Sequence, residues 1–85
     1  MSIYLQNLNP NIDATINRGG ITFRQNAITV DMICRKVKAG YEMKFVFDST
    51  ETSTIVKARD GKEVAQKIPA VANDIFRAYT LKGMI

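Results

Sequence analysis

Histidine and tryptophan are missing from this 85-residue sequence, and cysteine occurs once, at Cys34. Without histidine, the commonest general acid/base, metal ligand and pH switch is lost. A single cysteine cannot close a disulfide within the chain. Its place in the apolar run Met32-Ile33-Cys34 makes a reduced core thiol the expectation. Long apolar runs are also lacking: none approaches the roughly 20 residues needed to cross a bilayer. The start, Met1-Ser2-Ile3-Tyr4-Leu5-Gln6-Asn7, has neither the basic n-region nor the apolar core of a secretory signal. Ser2 stands where myristoylation requires glycine. A cytoplasmic location with no membrane span is the expectation.

The same scarcity reaches catalysis. A nucleophile needs a base that titrates near the working pH, and Ser2, Ser49 and Ser53 have no histidine to activate them. Arg35 and Lys36 follow Cys34, but adjacent residues on a helix point to different faces. Asp48 and Glu51 flank a polar stretch, whereas calcium takes roughly six to eight oxygen ligands. Asp60-Gly61-Lys62 lacks the flanking glycines and Gly-Lys-Ser/Thr of a phosphate loop. The chain is read as having no catalytic residue, no metal site and no cofactor, and as not being an enzyme.

What is present is a globular composition, 46% apolar and 24% charged, enough for one small core. It is unevenly spread. Residues 6–20, QNLNPNIDATINRGG, crowd turn formers together. Residues 1–25 are therefore read as an Asn-rich irregular arm, with room for a helical turn near Ile12 and Ile16 or a short strand over 21–25. Residues 26–85 are read as the compact domain.

Within that domain, Ile28, Met32, Ile33 and Val37 recur at helical spacing. Asp31 stands early, Arg35, Lys36 and Lys38 late, and Gly40 in the place of a C-terminal stop; the pattern predicts a helix over 29–39. Met43, Phe45 and Phe47 alternate with Glu42, Lys44, Val46 and Asp48, which predicts a strand over 41–48. Residues 49–53 make a polar connection and 54–59 a second strand. Asp60-Gly61 suits a tight hairpin turn, and 62–68 return as a third strand that Pro69 ends. In the last segment Val71 or Ala72, Ile75, Phe76, Tyr79 and Met84 form a helical stripe that ends near Lys82 and Gly83. The expected fold is α+β, in the order helix–strand–strand–strand–helix, with a three-stranded antiparallel sheet. An uncovered sheet edge makes self-association a further expectation.

Twelve basic residues against eight acidic ones leave a net charge of +4. Lys57, Arg59, Lys62 and Lys67 cluster on the expected hairpin, and Lys44 joins them across the sheet; these five form the candidate binding surface. Phe45 and Phe47 alternate as stacking residues do on single-strand-binding sheets. However, Glu42, Asp48, Glu51, Asp60 and Glu63 are interleaved with the bases, which suits a solvated surface better than a phosphate-binding face.

Residues 44–69, KFVFDSTETSTIVKARDGKEVAQKIP, are similar to the core of the FlaG-type flagellar proteins. Phe45 and Asp48 match that family's Phe-x-x-Asp strand end, and Ile55-Val56-Lys57 its second strand. Asp60-Gly61 matches the turn, and Glu63-Val64 with Ile68-Pro69 its Glu-Val-x-x-x-Ile-Pro return strand. Ala65-Gln66-Lys67 departs from the family's commoner Ile-Arg-Gln. The resemblance spans residues 27–85. It implies a non-enzymatic protein that affects filament length or assembly, and it brings no catalytic residue with it. The expected function is thus a small protein–protein interaction module with a protein partner. The alternatives are a nucleic-acid-binding regulatory or phage-encoded protein, and an inhibitor docking on a host enzyme.

Overall fold

The computed structural model of the protein describes residues 2–47 and 52–84. Of the expected polar connection at residues 49–53, residues 49–51 lie outside the described residues, as do Asp48 and Ile85, whereas Thr52 and Ser53 belong to a strand. Six strands and one helix follow in chain order: β1 (Ser2–Ile3), β2 (Asp13–Asn17), β3 (Gly20–Gln25), β4 (Ile28–Val37), β5 (Gly40–Phe47), β6 (Thr52–Ala58) and α1 (Gly61–Leu81). The strands form one antiparallel meander whose spatial order equals the chain order. The helix covers one face. The chain is α+β, but the described residues form six strands and a single C-terminal helix in place of three strands between two helices.

Three features overturn the expected layout. The first is β4, expected as a helix over 29–39. Ile28, Met32, Ile33 and Val37 satisfy a helical period, but Val30 and Met32 are buried while Asp31 and Ile33 are exposed, a period of two. The segment is rich in β-branched residues, which lose χ1 freedom in helices and pack well on a pleated surface. The second is the irregular arm. β2 pairs with β3 and β3 with β4, and Ile12, Ala14 and Phe23 belong to the core. The third is residues 62–68, which are not a return strand. Asp60 is a helix N-cap: its Oδ1 accepts a hydrogen bond from the Glu63 amide at 2.9 Å. Asp-x-x-Glu before an apolar stripe is a capping-box spacing, and it outweighs the hairpin reading of Asp-Gly. Pro69 then sits buried inside α1. It removes one hydrogen bond from the ladder, yet the helix continues because its stripe packs on both sides, with Ile68 before and Ala72, Ile75 and Phe76 after.

Two-residue turns explain why the N-terminal strands escape notice. Asn17 pairs with Gly20, Gln25 with Ile28 and Val37 with Gly40, so Arg18-Gly19, Asn26-Ala27 and Lys38-Ala39 make the turns. Asn26 supplies the positive φ, at 56°. The helix ends as its last residues suggest. Met84 N–H donates to Tyr79 O and Gly83 N–H to Thr80 O, both at 3.0 Å, with Gly83 at φ 77°, which is a Schellman motif.

Phe23, Val30, Met43, Phe45 and Phe76 are fully buried, and Phe23 and Phe45 stack with ring centroids 6.4 Å apart. Cys34 is exposed, not a core thiol. The asparagines between β1 and β2 tie that segment to the helix. Asn73 Nδ2 donates to Asn7 O, and Asn9 N–H donates to Asn73 Oδ1, each at 2.8 Å. Asn73→Ala removes both bonds and is expected to cost about 1–2 kcal/mol in urea unfolding. Hydrogen exchange should then accelerate first in residues 7–12.

Candidate functional site

The five basic candidates do not share one hairpin. Lys44 on β5 and Lys57 on β6 project from the face of the sheet opposite the helix, as the register with the buried Met43, Phe45 and Ala58 requires. Arg59 stands in the β6–α1 connection, and Lys62 and Lys67 lie on the helix. Arg59 Nε and Lys67 Nζ each approach the Glu63 carboxylate at 3.1 Å, and Lys67 Nζ donates to Lys57 O at 2.7 Å. These two bases brace the start of α1 rather than offer a phosphate cradle. Phe45 is in the core and Phe47 packs edge-on against Tyr79 at 6.3 Å, so neither is a stacking platform on the open face.

The brace at Glu63 has a consequence in acid. The hydrogen bond from Lys67, and then that from Arg59, hold its carboxyl below the ordinary glutamate range. A carboxylate favoured in the folded state contributes fully above the unfolded pKa, about 4.3, and loses its contribution as pH falls through the lowered folded value. The stability gap between the wild type and Glu63→Gln should therefore be constant near neutrality and close below about pH 4. Urea unfolding across pH measures it.

The open face is mixed in character. Across β2, β3 and β4, Asn17 Nδ2 donates to Thr22 Oγ1 at 2.6 Å, and Thr22 Oγ1 donates to Asp31 Oδ1 at 2.7 Å. Toward β6, Arg35 grips Glu42 Oε1 through Nε at 3.1 Å and Nη2 at 2.9 Å. Lys44 lies between Ile33 and Ile55 in the register, and these isoleucines are 49% and 55% exposed.

An apolar concavity lies on the other face, beside β6. This strand ends the sheet and pairs only with β5 among the described residues. Between it and α1 runs a groove of about 460 Å³. The buried Ile75 and Tyr79 and the partly buried Phe47, Val56 and Val71 give it an apolar lining, and the exposed Asp74, Ala78 and Lys82 stand along the helix side. The helical stripe over residues 71–79 is visible in the sequence. The groove is not, because it requires Thr52–Ala58 to be the last strand, with the chain turning directly into a helix at Asp60. Among the described residues, no group of three or more Cys, Asp or Glu side chains converges to hold a metal ion. No described helix is long and apolar enough to cross a membrane. Compared with known proteins, the chain matches no family model, no curated protein and no solved structure.

Proposed function

We propose that this chain is a small, non-enzymatic protein-binding module that acts through the β6 side of its sheet. One observation carries the reading: a strand edge that is unpaired among the described residues lies directly beside an apolar groove. Backbone donors and acceptors along an edge strand are a template for another chain, and the groove falls within the roughly 300–1,000 Å³ range of ligand sites. The FlaG-type resemblance would make the partner a component of a flagellar filament. Its matching residues Glu63, Val64, Ile68 and Pro69 lie in α1, so the proposal rests on the edge and the groove.

The nucleic-acid alternative loses its stacking residues to packing against the helix, and of its five candidate bases only Lys44 and Lys57 stand on the sheet. Affinity capture from the source cells tests the reading, with three baits: wild type, Ala78→Glu in the groove, and Arg24→Glu on the open face. Proteins retained by wild type and Arg24→Glu but lost with Ala78→Glu are expected. Retention of nuclease-sensitive material that falls steeply with salt would instead support the nucleic-acid reading, and no retained protein would remove the proposal.

A further inference from the structure

We infer that β6 accepts a seventh strand from its partner: an extended segment with bulky apolar residues at alternate positions and acidic residues between them. This rests on the protein-binding reading above and names the chemistry of the partner. Three observations converge on it.

The hydrogen-bonding edge comes first. β6 is seven residues long and no strand pairs with its outer edge among the described residues; apart from Lys57 O, which accepts from Lys67 Nζ, an added strand gains main-chain bonds along it, as in other strand-addition complexes. The groove comes second. It lies on the helix side of that edge, where every second residue of an added strand must project. The residues of β6 itself on that side are small, Thr52, Thr54, Val56 and Ala58, which leaves the space to large incoming side chains. It also argues against a second copy of β6 as the occupant, since small residues would leave the groove unfilled.

Charge comes third. The intervening residues of an added strand project on the open face beside Ser53, Ile55 and Lys57. Glu42 stands opposite Lys57 in the register but is taken by Arg35. Lys57 Nζ has no ion pair among the described residues, and Lys44 lies one strand further in, beside Ile55. Opposite charges directly across a sheet stabilise it, so acidic residues suit this side.

The test uses the full chain and a seven-residue probe, acetyl-Glu-Leu-Glu-Ile-Glu-Leu-Glu-amide. Two controls accompany it: the same composition ordered Glu-Glu-Leu-Ile-Leu-Glu-Glu, and the alternating peptide with lysine for glutamate. Saturable binding of the first peptide is expected, with each control weaker by about tenfold or more. Ala78→Glu, on the exposed side of the helix, should weaken binding by a similar factor while leaving thermal unfolding unchanged. Lys57→Glu should reverse the preference between the acidic and basic peptides. Amides of residues 52–58 that face away from β5 should become slow to exchange when the peptide is bound.

No saturable binding, equal binding of the reordered peptide, or indifference to Ala78→Glu would overturn the inference. A concentration-dependent dimer of the free chain, abolished by Ala78→Glu, would assign the edge to a second copy and overturn it as well. If capture from cells succeeds while the peptide fails, the protein-binding reading stands and strand addition falls. If the peptide binds and capture fails, strand addition stands and the cellular reading falls.

Discussion

Phe45→Ala is expected to lower the unfolding free energy by about 3–5 kcal/mol. Phe45 has no exposed surface and lies on β5, with Met32 and Thr54 as its register partners on either side. Its ring stacks on that of Phe23, one strand beyond β4. Truncation therefore removes apolar burial, an aromatic contact and the wall of a neighbour's packing at once. A chain of this length holds total stability of about 4–13 kcal/mol, so the loss is at least about a fifth of it. The control is Ile33→Ala, on the opposite face of the adjacent β4, half exposed, and expected to cost under about 1 kcal/mol. Urea unfolding of both variants measures the difference. Equal losses would contradict a sheet that buries only one face.

The second large effect is a backbone one. Gly40 opens β5 at φ 141°, a region where side chains are strained. A Cβ placed there would strike the carbonyl oxygen of Ala58 and come within 2.9 Å of Arg59 O. Both obstacles are main chain, at the point where β6 turns toward the helix, so neither can rotate away. Gly40→Ala is expected to cost about 2–4 kcal/mol from strain and forced separation. Gly61→Ala gives the opposite outcome. Nothing lies within 4 Å of a Cβ at Gly61, and alanine is the better residue in the first turn of a helix, so stability should hold or rise by up to about 1 kcal/mol. Thermal unfolding of the pair separates them.

Gly40 also illustrates where sequence reading succeeds and fails. The alternation of Met43, Phe45 and Phe47 is unambiguous, and β5 stands where it points. The stripe Ile75, Phe76 and Tyr79 and the stop at Lys82-Gly83 are equally legible, because burial on one helix face and the Schellman geometry are both local. β4 is not. Ile28, Met32 and Val37 fit two periods, the charges of Arg35 and Lys36 are neutral to the choice, and Gly40 mimics a helix stop while serving a close approach between strands. Asp60-Gly61 fails for a similar reason: the pair suits a hairpin, and only Glu63 three residues on reveals the cap. The hairpins of β2, β3 and β4 turn on Arg18-Gly19, Asn26-Ala27 and Lys38-Ala39, which carry none of the usual signal dipeptides apart from one asparagine.

The candidate site was less legible still. Lys44, Lys57, Arg59, Lys62 and Lys67 drew attention through their charge, yet the groove that organises the binding proposal is lined by Phe47, Val56, Val71, Ile75 and Tyr79. Each of these reads as ordinary core in one dimension. What makes them a surface is that the sheet ends at β6, a property of the pairing order alone.

That pairing order has a consequence for the chain as it is made. Each strand meets its neighbour as soon as it emerges, so the meander can assemble by successive short-range hairpins, a topology that favours rapid folding. The element packed over β5, which carries Met43 and Phe45, is α1, which follows all six strands. During synthesis from the N-terminus, the growing sheet carries its apolar face bare until α1 leaves the ribosome. Residues 1–59 tethered to the ribosome by a C-terminal linker long enough to clear it should therefore recruit chaperones, and residues 1–85 on the same linker should not.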